Sequence, residues 1–339
     1  MLQKHGKLIS GIFFVLGGLG LLFINIAPRL KAPADPEQLL NNAVVSSDLA
    51  SLTRPQEMQF YGAFFRLAQK RNQQAAKWML SHYSSLKSTP RYHALEFMGH
   101  YYDQQEFKDL FLNLWKASSS SDDEMEKIAL LKSLGKIVSS WNEMQLDKIE
   151  TSEKMSELLK VHFYASLFKS AFESKRKKRS IKELLSLSSG RYSELVLTYL
   201  GRFLPNHPDV LDKMQESIYV SKDASYLEMA LIHLSKYRKE WMALQGERII
   251  QSKNKNLVSS YVKTSFVSCS KTMKEEFEMV LSMYPELASS VLEVLFSLPR
   301  KKAYEFFMAN EAAFKNIMNV EKAKNALSKG EVYSSCKNF

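Results

Sequence analysis

The stretch LEFMGHYY, residues 95–102, carries the pattern that decides the fold. Two apolar residues, Leu95 and Met98, are followed by the small residue Gly99 and then by the aromatic Tyr102. Apolar side chains at this spacing lie on one side of a helix. A small residue beside them lets a neighbouring helix approach closely. The stretch therefore predicts a helix with one buried side that packs tightly against a second helix.

The same pattern recurs along the chain at a nearly constant spacing. Its small residues are 37, 36, 30 and 36 positions apart. A period of about 34 residues is that of a helix–turn–helix repeat, and such repeats bury their apolar faces by stacking on one another. The five occurrences centre on Gly62, Gly99, Gly135, Ala165 and Gly201.

The pattern resembles the first helix of the tetratricopeptide (TPR) repeat family. FKDLFLNLWKA (107–117) is similar to that family's second helix, and LPNHPDVL (204–211) is similar to the proline turn that closes one repeat and opens the next. The resemblance implies an all-α fold, a right-handed α-solenoid of stacked helix pairs with a groove for a protein partner. The register stays open. A repeat closed by Pro205 puts Gly201 in a second helix, whereas the glycine series puts it in a first helix.

The proline turn also contains His207-Pro208-Asp209, a tripeptide that J-domain co-chaperones use. In that family an unbroken basic helix leads into the histidine, whereas Pro205 interrupts the chain here. We therefore interpret the stretch as a connector in which Asn206 or His207 caps the next helix and Pro208 lies in its first turn.

Composition favours helices and excludes several classes of enzyme. Five of the twelve glycines lie in the first 20 residues, so the remainder has few residues for phosphate-binding loops or tight hairpins. The motifs GxSxG, HExxH and GxxxxGK[ST] are absent from the sequence. We therefore expect a protein that is not an enzyme, with no catalytic residues, no cofactor and no resident metal.

The segment LISGIFFVLGGLGLLFINIA, residues 8–27, is apolar and uncharged. Twenty residues of helix cover about 30 Å, the thickness of a bilayer core. The pattern predicts a short N-terminal tail at 1–7, a transmembrane signal-anchor helix at 8–27, a stalk at 28–38 and a helical-repeat domain at 39–339.

The basic residues Lys4 and Lys7 precede the apolar segment and favour an N-terminus on the cytoplasmic side. The chain is then a single-pass protein of the cell membrane, with its helical domain on the outer, periplasmic or extracytoplasmic side. The alternative is secretion after cleavage of a signal peptide near Ala34, since Ala32-Pro33-Ala34 has the small-x-small form of a cleavage site.

Polar and aromatic residues in the region 91–101 form the candidate partner-binding set. His93, Glu96 and His100 are spaced i, i+3 and i+7, which places them close to one helical face and away from the buried side. They can share a metal or line a peptide groove, and the absence of a second ligand cluster favours the groove. The candidate groove residues are Arg91, His93, Glu96, His100 and Tyr101.

The stretch SKRKKRS, residues 174–180, contains five consecutive basic residues. The pattern predicts a solvated loop between a helix that ends near Phe172 and a capping box that starts at Ser180. In a membrane-anchored chain such a run favours an anionic lipid or polymer, and we expect no nucleic-acid partner. The candidate contacts are Lys175, Arg176, Lys177, Lys178 and Arg179.

The remaining features leave the partner unidentified. A net charge of +11 allows an anionic partner, and Cys269 and Cys336 can either pair or remain thiols. The predicted function is a membrane-anchored helical-repeat scaffold that mediates protein–protein interaction in a cell-envelope assembly. The alternatives are a wall-active enzyme or enzyme accessory with a helical superstructure, and a binder of anionic lipid or polymer through residues 175–179.

Overall fold

The structure, a computed structural model, describes residues 66–84, 86, 88–118, 124–152, 154–329 and 336. Every regular element in these residues is a helix and none is a strand, which confirms the prediction of an all-α fold. The predicted tail, anchor and stalk lie outside the described residues. Across the ranges that are described, no helix combines the length and the apolar character that crossing a bilayer requires.

The chain divides between Ser133 and Leu134 into two compact units. In the first unit, a 3-10 turn at Met98–Tyr101 directly continues the second helix, and residues 66–69 are also helical. The helices are α1 Gln73–His82, α2 Ser88–Phe97, α3 Gln105–Ser118 and α4 Glu124–Leu134, which reaches the division.

The second compact unit contains fourteen helices within its described residues. They are α5 Ser140–Ser152, α6 Glu157–Ser170, α7 Ser174–Leu187, α8 Ser193–Phe203, α9 Pro208–Ser217, α10 Ala224–Tyr237, α11 Lys239–Ala243, α12 Gly246–Gln251, α13 Lys255–Ser268, α14 Met273–Met283, α15 Ala288–Leu295, α16 Arg300–Ala309, α17 Glu311–Phe314 and α18 Val320–Ser328.

Helices of the second unit pack in a repeated order. The first-row helices, α6, α8, α10, α13 and α15, each contact the next member of the row, and α7, α9, α11 and α14 each pack on the first-row helix before them. This order matches the predicted alternation of first and second helices. The five first-row helices begin at Glu157, Ser193, Ala224, Lys255 and Ala288, which are 36, 31, 31 and 33 residues apart.

Side-chain caps fix the starts of three first-row helices. The Ser156 hydroxyl accepts a hydrogen bond from Leu159 N at 3.2 Å, at the start of α6. The side chain of Asp223 caps α10 and that of Asn254 caps α13 in the same way. Each cap satisfies one of the backbone N–H groups that a helix start leaves without a partner. The apolar faces that follow form two buried clusters.

The stretch LPNHPDVL is a connector, as predicted. Helix α8 ends at Phe203 and α9 begins at Pro208, with His207 in the capping position but without a side-chain cap bond. The connector lies between a first-row helix and the helix that packs on it. The proline turn therefore lies inside a helix pair and does not close one.

The position of Gly201 settles the register that the sequence left open. This residue lies in the first-row helix α8, and a Cβ atom there would be 3.0 Å from Met229 Sδ in α10, the next member of the row. Gly201 therefore lies in a first helix, as the glycine series predicted, and the proline turn does not close a pair.

The small residues permit close approach, as the pattern predicted. In the first unit, a Cβ atom at Gly99 would overlap the backbone carbonyl of Ser133, and in the second, one at Gly135 would be 3.1 Å from Ser166 Cα. Both glycines lie outside an α-helix, whereas the pattern placed them inside one. Gly99 is in the 3-10 turn after α2, and Gly135 directly follows α4. Glycine's low helix propensity is consistent with both positions.

Polar contacts join neighbouring helix pairs at the same spacing. The Asn254 side-chain amide donates to Ser221 O at 2.7 Å, and the Tyr284 hydroxyl donates to Ile250 O at 2.9 Å. The partners are 33 and 34 residues apart, which is one helix pair. The first contact joins the starts of two neighbouring pairs and the second joins their ends, so side chains of one pair satisfy backbone carbonyls that border the pair before it.

Cys269 and Cys336 form a disulfide, which answers the question that their spacing left open. Their Cα atoms are 5.2 Å apart, within the range that a disulfide spans. Cys269 directly follows α13 in the left-handed conformation, and Cys336 is only 1% exposed. The bond fastens the segment that follows α18 to the end of α13.

Candidate functional site

The predicted groove residues of the first unit are mostly engaged within the unit. The Arg91 guanidinium donates to Glu126 Oε1 at 3.2 Å, and both side chains are largely buried. His93 stacks on Phe97 with ring centroids 6.1 Å apart. Glu96 is half-buried. The pair of Arg91 and Glu126 joins α2 to α4, and each of the three predicted groove side chains is only partly accessible.

Tyr101 does not line a groove, contrary to the prediction. Its side chain is fully buried, its hydroxyl donates to Asn72 O at 2.9 Å, and its ring stacks on Phe107 at 5.0 Å. Burial raises the pKa of Tyr101 to about 12, and Arg71 opposes that rise. The cause of the error is the 3-10 turn, whose tighter winding turns residue 101 towards the core.

The same turn changes the relation of His100 to the other two polar residues. His93 and Glu96 lie in α2, whereas His100 lies in the 3-10 turn, so the three do not follow one α-helical face. The buried side is as predicted, since Leu95 and Met98 are fully buried. In the part of the chain that the structure describes, no three His, Cys, Asp or Glu side chains are grouped closely enough to hold a metal ion.

The basic run, residues 175–179, forms the first turns of α7 and is not a loop, contrary to the prediction. Ser180 does not cap a helix. It is buried inside α7, where its hydroxyl donates to Arg176 O at 2.9 Å. The helix starts six residues earlier, with Glu173 in the capping position. An acidic residue there offsets the unfavourable meeting of basic side chains with the positive end of the helix dipole.

Two of the five basic residues are held by α5. The Arg176 guanidinium donates to both carboxylate oxygens of Asp147, at 2.8 and 3.1 Å, and Arg179 pairs with Glu150. Lys177 lies over the ring of Phe168 at 6.0 Å. The arginines of the run therefore stabilise the packing of α7 on α5, and three of the five predicted anionic contacts are already engaged in the fold.

We expect the pair of Arg176 and Asp147 to be coupled by about 0.5–1 kcal/mol, because both side chains are partly exposed and the contact is bidentate. A double-mutant cycle with Arg176→Ala and Asp147→Ala, read by urea unfolding, measures this coupling. The matched cycle with Lys175→Ala should give a coupling near zero, since Lys175 makes no ion pair with any described residue. Equal coupling in the two cycles would contradict the arrangement.

A second candidate site lies around Tyr219, in the loop between α9 and α10. Two adjoining clefts, of about 560 and 400 Å³, share Tyr219 and Ser252. We call them together the Tyr219 cleft. The larger is also lined by Leu244, Glu247, Arg248 and Gln251, and the smaller by Val220, Lys222, Lys253, Lys255, Asn254 and Asn256.

Two asparagines fix the loops that form the cleft. The Asn254 and Asn256 side-chain amides donate to Ser221 O and Lys222 O, each at 2.7 Å. Lys253, between α12 and α13, has a positive φ of 60°. The loop between α9 and α10 is therefore tied to the start of α13 by two side-chain-to-backbone hydrogen bonds.

Tyr219 is held in place from two sides. Its hydroxyl donates to Gln245 Oε1 at 2.7 Å, and the Arg248 guanidinium lies 4.4 Å from the centre of its ring. Burial raises the pKa of Tyr219, and Arg248 opposes that rise. A cation over an aromatic face is stabilising, so the guanidinium helps to fix the ring that both clefts share.

The cleft combines exposed aliphatic side chains with an excess of positive charge. Val220 is 77% exposed and Leu244 is 80% exposed. Four basic side chains line the clefts against one acidic side chain, that of Glu247. Such a surface can hold a partner that presents both apolar groups and carboxylates.

The sequence analysis did not identify this cleft. Its residues come from the loop between α9 and α10 and from residues 244–256, which include α12 and the start of α13, and no spacing rule links the two segments before the helices pack. The available signal was weak. It consisted of aliphatic residues in loops, Val220 and Leu244, flanked by Lys222 and Arg248.

Comparison of the chain with protein-family models, with curated proteins and with solved structures finds no match. The fold and the cleft define the class of protein, an all-α chain whose second unit repeats a helix-pair packing and carries a basic, partly apolar cleft. The TPR resemblance remains a hypothesis that rests on the residues quoted above.

Proposed function

We propose that this protein is a membrane-anchored scaffold of the cell envelope, built as a TPR-like α-solenoid of stacked helix pairs, and that it binds a protein partner. The observation that carries the proposal is the regular row of first helices, which begin 36, 31, 31 and 33 residues apart and contact one another in order. Repeats of this kind expose long, regular surfaces and act by shape and not by catalysis.

The disulfide supports a location on the outer side of the membrane. Disulfides form and persist in oxidising compartments and are rare in the cytosol. The bond between Cys269 and Cys336 lies in the domain that would follow the anchor. The apolar segment at 8–27 and the basic residues before it favour the same topology.

An alkaline phosphatase reporter fused after Phe339 tests this topology. We expect the fusion to be active, because that reporter needs the oxidising side of the membrane to form its own disulfides. The same fusion lacking residues 8–27 is the control and should be inactive. A full fusion that accumulates to normal levels and is as inactive as the control would place the domain in the cytoplasm.

The scaffold function is tested by purification from detergent-solubilised envelopes. We expect the full chain to recover a partner in a fixed molar ratio over repeated preparations. Recovery of the chain alone after cross-linking would contradict the proposal.

A second candidate function is contact with an anionic lipid or polymer at the start of α7. The supporting observation is a small exposed patch beside the paired arginines. Phe172 is 63% exposed, and Lys175 and Lys178 are exposed and make no ion pair with any described residue. Basic side chains beside an exposed aromatic ring suit the surface of an anionic membrane. Salt-sensitive binding of anionic vesicles that is unchanged by Lys175→Glu with Lys178→Glu would contradict this function.

A further inference from the structure

The Tyr219 cleft is a rigid surface. The Asn254 and Asn256 side chains fasten the backbone of residues 221–222 to the start of α13, and Gln245 and Arg248 fix the ring of Tyr219. A surface that is already ordered loses little conformational entropy when a ligand binds. The cleft is therefore organised for binding, although no helix contributes more than a few residues to it.

The apolar part of the cleft sits on both sides of Tyr219. Val220 lines the smaller cleft and Leu244 lines the larger, and both side chains are more than three quarters exposed. Exposed aliphatic residues beside a fixed aromatic ring are typical of the centre of a protein-binding surface. A bulky apolar side chain of a ligand that lies over the Tyr219 ring can cover Val220 and Leu244.

The positive charge of the cleft favours a negatively charged ligand. Glu247 accepts a hydrogen bond from Gln251 at 2.8 Å, and Lys255 is paired with Glu286 at 2.8 Å. Lys222, Lys253 and Arg248 make no ion pair with any residue that the structure describes. These three cations line a surface of polar side chains and two exposed aliphatic ones, so carboxylates of a ligand complement them.

We propose that the Tyr219 cleft binds an acidic peptide segment of the partner protein, with a bulky apolar side chain between Val220 and Leu244 and carboxylates paired with Lys222, Lys253 and Arg248. This inference rests on the proposed scaffold function and names the chemistry of its partner. An inorganic anion would leave the two aliphatic side chains uncovered. Both clefts are open to solvent, which suits an extended segment that lies along the surface.

Three synthetic peptides provide the probe, with the full chain in neutral detergent. The first alternates acidic residues with leucine, the second has lysine in place of each acid, and the third has serine in place of each leucine. We expect fluorescence anisotropy to show that the first binds at least about tenfold more tightly than the others. Micelles without protein serve as the blank. Equal affinity for the three peptides would overturn the inference.

Paired variants locate the binding on the surface. Lys222→Glu with Lys253→Glu should weaken the acidic leucine peptide by about tenfold or more and improve the lysine peptide. Val220→Ser with Leu244→Ser should weaken it by about tenfold without changing the charge. The matched control, Met283→Ser with Lys271→Glu and Lys274→Glu, changes other exposed apolar and basic side chains and should leave affinity unchanged within about twofold. A control variant that loses as much affinity would overturn the inference.

Two further outcomes separate this inference from the proposed function. A native partner that co-purifies equally with wild type and with Lys222→Glu, Lys253→Glu would overturn the cleft inference and leave the scaffold function standing. Binding of the acidic peptide without any native partner would leave the cleft standing and contradict the scaffold. Anionic vesicles that bind wild type and not the cleft variant would identify a lipid ligand and overturn the inference.

Discussion

Replacing Cys336 by serine is expected to lower the free energy of unfolding of the second compact unit by about 4 kcal/mol. The bond to Cys269 closes a loop of 67 residues, and opening it returns conformational freedom to the unfolded chain. A typical domain is stable by only about 5–15 kcal/mol, so the loss is large. Urea unfolding of the full chain in detergent without reductant measures it as a lower midpoint.

The pairing itself is tested by comparing the single and double replacements. Cys269→Ser should cost about as much as Cys336→Ser, and the double replacement should cost little more, because each single change already removes the cross-link. Reductant should destabilise the wild type and leave both variants unchanged. The disulfide would be contradicted if the losses in unfolding free energy from the two replacements were additive. It would also be contradicted if reductant did not lower the stability of the wild type.

Replacing Gly99 by alanine is expected to lower the free energy of unfolding of the first compact unit by about 3 kcal/mol, the upper range for overpacked sites. The added Cβ would overlap the Ser133 carbonyl, which belongs to the backbone of α4 and cannot rotate away. Separation of the two segments would also strain the hydrogen bond between the Tyr102 and Ser133 hydroxyls. Urea unfolding measures the loss, and hydrogen exchange over residues 98–134 locates it.

Gly190 provides the matched control for this replacement. A Cβ atom at Gly190 would meet the end of the Glu157 side chain, which is flexible and can move aside. Gly190→Ala should therefore change the free energy of unfolding by less than about 1 kcal/mol. Both replacements exchange glycine for alanine, so their effect on the entropy of the unfolded chain is the same. Equal losses at Gly99 and Gly190 would contradict the close approach at Gly99.

The fold was predictable where apolar spacing and small residues determine it. The pattern around Gly99 and its recurrence predicted helices, because helical periodicity depends on residues near one another in sequence, and the small residues predicted close approach without identifying the residues they approach. The register was not predictable, since Pro205 and Gly201 gave opposite assignments. Only the contact between α8 and α10 decided between them.

The candidate site was less predictable, for two physical reasons. The sequence pattern treated residues 91–101 as one helix, whereas the 3-10 turn buries Tyr101 and moves His100 off the face of α2. Charge alone suggested a loop at 175–179, yet Asp147 and Glu150, about 30 residues earlier, pair with its arginines and help to stabilise a helix there. Both errors come from tertiary contacts that sequence spacing does not contain.

The Tyr219 cleft shows the same limit more clearly. Its segments become neighbours only when the loop between α9 and α10 lies against α12 and the start of α13. The Asn254 side chain caps α13 by accepting from Leu257 N. Its amide also donates to Ser221 O, and this second bond depends on the packing of the neighbouring helices. A surface of this kind can be recognised only once these helices are packed together.

The most direct test of the central claim, that the chain is a scaffold for a protein partner, is the mass and composition of the particle purified from its own membrane. Light scattering on the full chain in detergent, corrected for bound detergent, gives the protein mass, and quantitative mass spectrometry gives the molar ratio of its components. The account predicts a particle that contains the 39.0 kDa chain and a second protein in a fixed ratio. A particle that contains this chain alone in every preparation, with or without prior cross-linking, would contradict it.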